Sequence, residues 1–113
     1  MVINMTKVNY DVIPNELFIN YLEFLINQLY KSLCLKEEKS DTLLSYLMSL
    51  RNELIGGVEL IEFLEFDARY CAMLNKIQFL IYERNVSQVQ FKKEIFSCIN
   101  IVQKLIEKYK NKV

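Results

Sequence analysis

The chain contains no histidine, which removes the commonest general base and the usual partner of a serine or cysteine nucleophile. Glycine and proline are nearly absent too, with 2 and 1 copies, so no glycine-rich phosphate loop can be built. Gly56-Gly57 alone falls far short of a nucleotide fingerprint. Net charge is missing as well: 14 basic and 14 acidic residues cancel. Neutrality argues against general binding of nucleic acid or anionic membrane, which draws on a net basic field. It also leaves little electrostatic protection against self-association, so a homodimer is open. No apolar run approaches the roughly 20 residues of a transmembrane helix. Residues Met1 to Lys7 lack the basic and then apolar regions of a signal peptide, and a cytoplasmic location is expected. Cys34, Cys71 and Cys98 are odd in number, far apart and set among apolar residues. They are expected as small core hydrophobes in a reducing compartment, neither disulfides nor metal ligands.

What is present favours a helical core. The 113 residues allow one domain, and 52% of them are hydrophobic, the opposite of a disordered composition. Few breakers and abundant Leu, Ile, Glu, Lys and Tyr predict long helices with short joints: an all-α, antiparallel four-helix bundle spanning 1–113. Residues 1–13 carry a weak alternation at Val8, Tyr10 and Val12 that could form an extended arm. The first helix is expected from Pro14, in its first turn, to about Leu35. Its stripe is Leu17, Tyr21, Leu25, Leu29 and Leu33, widened by Phe18, Leu22 and Ile26. Lys36 to Ser40 reads as a solvated loop.

A second helix starts after Ser40 or Asp41, buries Leu43, Leu44, Leu47, Leu50, Leu54 and Ile55, and is expected to stop at Gly56-Gly57. The third, from about Val58 to Glu83, reads as the longest and most central, with Asn85 placed to end it in the left-handed region. The fourth opens on a capping box, Ser87 with Gln90, and buries Phe91, Ile95, Cys98, Val102, Leu105, Ile106 and Tyr109. Lys108, Lys110 and Lys112 suit the negative end of its dipole.

The charge layout is uneven. Between Asn52 and Ala68 the acidic residues Glu53, Glu59, Glu62, Glu65 and Asp67 occur with no Lys or Arg among them. From Phe91 onward Lys92, Lys93, Lys104, Lys108, Lys110 and Lys112 outnumber Glu94 and Glu107. Acid near a helix start and base near a helix end also suit the helix dipoles, so a solvated face and a docking face both fit this layout. Di-iron bundles use Glu-x-x-His pairs, and without His the carboxylates read as solvated rather than metal-binding. No cofactor and no catalytic residue is expected.

Leu43 to Arg69 resembles the colicin D immunity-like family of small helical bacterial proteins. The resemblance rests on a helix ending near Asn52-Glu53-Leu54, followed by Ile55-Gly56-Gly57-Val58-Glu59-Leu60. It covers about a quarter of the chain and leaves out the first helix and the basic C-terminus. It implies an inhibitor that offers negative charge, here Glu62, Glu65 and Asp67, to a basic tRNA-cleaving toxin. The expected function is thus a non-catalytic protein-binding module docking a basic partner through Glu53, Glu59, Glu62, Glu65 and Asp67. Two other classes stay open: a self-associating subunit of a larger assembly, and nucleic-acid binding through the Lys-rich fourth helix.

Overall fold

The computed structural model describes residues 5–8, 11–60, 67–83 and 85–110, with side chains over 16–57, 67–83 and 85–110. Four helices make up most of it: α1 (Asn15–Glu37), α2 (Leu43–Leu60), α3 (Ala68–Tyr82) and α4 (Gln88–Lys110). A short hairpin precedes them, β1 (Met5–Val8) pairing antiparallel with β2 (Asp11–Pro14) in the register Met5 to Pro14 and Val8 to Asp11. The expected arm is therefore a paired ribbon, and Pro14 closes its second strand rather than opening the first helix. That is a permitted place for proline, at a strand end on a ribbon edge.

Each helix buries one stripe, and α4 follows its sequence pattern closely. Phe91, Ile95, Cys98, Ile99, Val102, Leu105, Ile106 and Tyr109 are all buried. On α1 the buried line is Phe18, Leu22, Leu25 and Leu29, whereas Leu17 is 54% exposed. A run spaced by four drifts about 40° per step around a helix of 3.6 residues per turn. The run from Leu17 to Leu33 therefore cannot stay on one face, and the core selects its middle. On α2 the core takes Leu47, Leu50 and Leu54. α3 contributes Tyr70, Met73, Ile77, Leu80 and Ile81.

The joints carry their own chemistry. α1 runs two residues past the expected end, and Lys39 beyond it adopts φ 54°, the left-handed region. Ser40 N–H donates to Leu35 O at 3.0 Å and Lys39 N–H to Lys36 O at 3.1 Å, which together make a Schellman closure. A lysine occupies the place where glycine is usual. At the start of α2, Thr42 N–H donates to Ser40 Oγ at 3.2 Å, so Ser40, not Asp41, supplies the capping oxygen. Ser87 caps α4 as expected, accepting from Gln90 N–H at 3.1 Å. The reciprocal half of that box is not made, because the Gln90 amide turns along the helix to Glu94 Oε1, 2.9 Å away. α3 ends at Tyr82 with Glu83 as its cap, φ −91° and ψ 91°, and Asn85 takes no left-handed turn.

The expectation for Gly56-Gly57 is overturned. α2 passes through both glycines to Leu60, and neither has a positive φ. α3 starts only at Ala68 and, at 15 residues, is the shortest of the four helices rather than the longest. Gly57 is glycine because of space, not conformation. A Cβ there would lie 2.5 Å from Tyr70 Oη and 2.9 Å from Tyr21 Oη, while a Cβ on Gly56 would meet nothing within 4 Å. Both residues cost helix propensity, about 1 kcal/mol each relative to Ala. At Gly57 that cost permits the two tyrosines to close on the helix.

Two predictions follow from these contacts. Gly57→Ala should lower stability by about 1–3 kcal/mol through overpacking, although Ala is the better helix former. Gly56→Ala should instead raise it by up to about 1 kcal/mol. Urea unfolding of the two variants beside the parent checks this, and equal effects would refute the close approach. Separately, Lys39→Gly should stabilise by about 1 kcal/mol by relieving the left-handed lysine; an unchanged urea midpoint would count against that strain.

Candidate functional site

The acidic residues singled out in the sequence come from two helices and the segment between them. Glu53 is exposed on α2. Glu59 lies within α2, with its side chain outside the described residues, and Glu62 and Glu65 lie outside the described residues altogether. Asp67 is the N-cap of α3, its Oδ1 accepting from Arg69 N–H at 2.9 Å and Tyr70 N–H at 3.1 Å. Its carboxylate thus anchors a helix start and is only half-buried. The structure therefore describes side chains for the two ends of the acidic stretch and not for its middle.

The first of those ends is fixed by tyrosine hydroxyls. Tyr70, fully buried at the first turn of α3, donates through its hydroxyl to Leu54 O on α2 at 2.9 Å. Tyr21 on α1 donates to the neighbouring carbonyl, Glu53 O, at 3.4 Å. The two phenol oxygens come together over Gly57. One further aromatic pair closes this end: the Phe18 and Tyr109 rings meet edge to face at 5.0 Å. A double glycine inside an apolar helical pattern, with interior tyrosines on the neighbouring helices, was the available signal. It read as a stop because glycine ends helices far more often than it admits a side chain.

Burial raises the pKa of both phenols, the effect on Tyr70 being reinforced by the neighbouring Tyr21, and that on Tyr21 opposed by the neighbouring Tyr70 and assisted by the Glu53 charge. Both hydroxyls therefore stay protonated and act as donors to the α2 carbonyls. Farther along, Lys76 Nζ on α3 pairs with Glu94 Oε2 on α4 at 3.0 Å. Beside that pair the buried Cys98 thiol is pushed up to about 12, chiefly by burial and against the nearby lysine. A thiol held protonated is a poor nucleophile. Of the three cysteines, all free, Cys98 alone belongs to the core: Cys71 is half-buried and Cys34 exposed, contrary to the expectation for both.

The lysines expected to form a basic region are spread along α4. Lys92, Lys93, Lys104, Lys108 and Lys110 are exposed, and Lys112 lies outside the described residues. Lys108 sits 5.7 Å over the Tyr109 ring. At the opposite end of the bundle Lys36 is not solvated loop. It donates to Val86 O at 3.0 Å and lies 5.5 Å over the Phe91 ring, joining the end of α1 to the start of α4. Among the described residues no three potential metal ligands gather, and no helix is long and apolar enough to cross a membrane. No family model, no curated protein and no solved structure matches the chain.

The buried phenols carry a pH signature. In the unfolded chain tyrosine ionises near pH 10 and cysteine near 9, whereas Tyr21, Tyr70 and Cys98 hold their protons longer when folded. The folded state then binds more protons than the unfolded state above pH 9. Stability is full below that point and falls as pH rises, by up to about 1.4 kcal/mol per unit for each group still protonated. Urea midpoints should therefore drop between pH 8 and pH 11, less steeply in Tyr70→Phe. A midpoint unchanged over that range would contradict the burial of these groups.

Proposed function

We propose that the chain is a non-catalytic, cytoplasmic protein-binding module of the immunity or antitoxin kind, docking a basic partner through its acidic stretch. The observation that carries this reading is the anchoring of that stretch. From Glu53 to Asp67 the chain holds five acidic residues and no basic one, and both ends are held to the bundle. Tyr21 and Tyr70 secure the Glu53–Leu54 carbonyls, and Asp67 starts α3. A run of like charge between two residues fixed in the bundle attracts an oppositely charged partner, which favours fast encounter and specificity. A toxin nuclease, basic because it handles RNA phosphates, is the partner whose chemistry fits, in line with the resemblance of Leu43 to Arg69 to colicin D immunity-like proteins.

The arrangement that serves this role is an antiparallel, up-and-down bundle. Contacts between successive helices support it: Tyr46 Oη meets Gln28 O at 2.9 Å while Tyr21 meets Glu53, so one helix is descended as the next is climbed. Lys76 with Glu94 and Cys98 with Met73 O follow the same rule between α3 and α4. That order brings the end of α2 and the start of α3 to one end of the bundle.

A pull-down of the tagged chain from its native host at low salt, followed by mass spectrometry, should recover one stoichiometric basic protein. Glu59→Lys with Glu62→Lys should then weaken that complex at least tenfold while helicity is kept, and rising salt should slow association. Unchanged affinity in the double variant would reject the acidic docking surface. Nucleic acid recovered with a steep salt dependence would transfer the function to the lysines of α4.

A further inference from the structure

Two surface stripes on α1 and α4 lie apart from the acidic end. On α1, Glu23, Tyr30 and Glu37 are all exposed and seven residues apart. On α4, Val89, Phe96 and Lys110 belong to a stripe with the same spacing and are also exposed. Residues seven apart stay on one side of a helix, drifting only about 20° per step. The stripes meet along two rungs, at Tyr30 and at Glu37, and by a longer reach between Lys110 and Glu23 past Gln103. Lys110 Nζ lies 4.0 Å from Glu23 Oε1, and the Tyr30 and Phe96 rings meet edge to face at 6.1 Å. Glu37 and Val89 then line one groove of about 400 Å³ together with Lys92. The apolar members stay open to water: Tyr30 is 43%, Phe96 42% and Val89 81% exposed.

We propose that this face binds a second copy of the chain about a two-fold axis running along the helices, between α1 and α4. Such an axis lays α1 of one copy over α4 of the other at the same height. Tyr30 with Phe96 and Glu37 with Val89 are level and pair unlike residues, so each is answered by its complement, while Glu23 is level with Gln103 and reaches along the helix toward Lys110. Glu23 meets the partner's Lys110, Tyr30 meets the partner's Phe96, and Glu37 meets the partner's Lys92 beside the partner's Val89. Four aromatic rings then close together at the centre with ion pairs at the rim, the usual distribution of binding strength in an interface. A two-fold axis across the helices would instead set α1 on α1, bringing Glu23 toward the partner's Glu37. Charge therefore selects one of the two isologous arrangements. A face with acid along one edge and base along the other offers little to a partner of uniform charge, and the chain's zero net charge does not oppose pairing.

Sedimentation equilibrium of the full chain at low salt, over roughly 1–500 μM, should show the mass rising from 13.5 kDa toward twice that value, within the usual affinity of modest interfaces. Phe96→Asp should weaken association at least about tenfold. Glu37→Lys and Lys92→Glu should each weaken it by about threefold, and together restore it to within about twofold of the parent. Tyr82→Asp, at a residue 73% exposed on α3, should leave association unchanged. Circular dichroism checks folding, and Val89→Asp replaces Phe96→Asp if that variant loses helicity. A chain monomeric throughout overturns the proposal. So does undiminished association in the aromatic-face variant, loss of association in Tyr82→Asp, or a charge-swapped pair as weak as its single variants.

Discussion

The missing side chain at Gly57 is the constraint on which one end of the molecule depends. With no Cβ in the way, the hydroxyls of Tyr21 and Tyr70 reach α2 from two other helices, and three helices share one polar junction. Buried hydroxyls left without acceptors would each cost about 1–3 kcal/mol. Carbonyls inside a helix can accept a second hydrogen bond through their free lone pair, so the phenols are satisfied without breaking the α2 ladder. Asp67 completes the junction from the far side by capping the helix that carries Tyr70. Apolar burial holds the middle of the bundle, and here directional bonds fix where the helices end.

The electrostatics divide along the same lines. Acid gathers in the sequence from Glu53 to Asp67, whereas the α1–α4 side sets acid against base across a narrow aromatic strip. A field of one sign suits an oppositely charged partner, and an alternating field suits itself. The zero net charge of the chain thus hides two regions of different character, an acidic stretch of sequence from Glu53 to Asp67 and an α1–α4 face that carries both signs. Lys76 with Glu94 uses charge differently again, knitting α3 to α4 at the margin of the core.

Local periodicity made the α4 core legible residue by residue, because its apolar positions follow the helical period and charged residues fill the remainder. The number of helices was readable for the same reason, with two of the joints marked by Lys36 to Ser40 and by Ser87. The boundary between the second and third helices was not readable. Gly56-Gly57 carries the signature of a stop, and its real role depends on tyrosines 36 and 13 residues away from Gly57 in sequence, a relation no local pattern records. The buried line on α1 was misplaced by a smaller margin, since nearly every position from Leu17 to Leu33 with the right spacing is apolar. Of the acidic stretch, composition was readable and placement was not. Asp67 turned out to be committed to a helix cap, and the sequence held no capping partner pattern that would have marked it.

The helix formed earliest in the sequence packs most extensively against the one formed last. Lys36 reaching Val86, Phe18 meeting Tyr109 and Lys110 facing Glu23 all join positions fifty or more residues apart. During synthesis α1 therefore leaves the ribosome with Phe18, Leu22, Leu25 and Leu29 uncovered until α4 has emerged. α2 can shield them only in part, so the nascent chain carries an oily helix face through most of its translation. Folding of the bundle is tied to the arrival of α4, and interruption of translation before α4 leaves a product suited to chaperone capture or proteolysis rather than a smaller stable bundle.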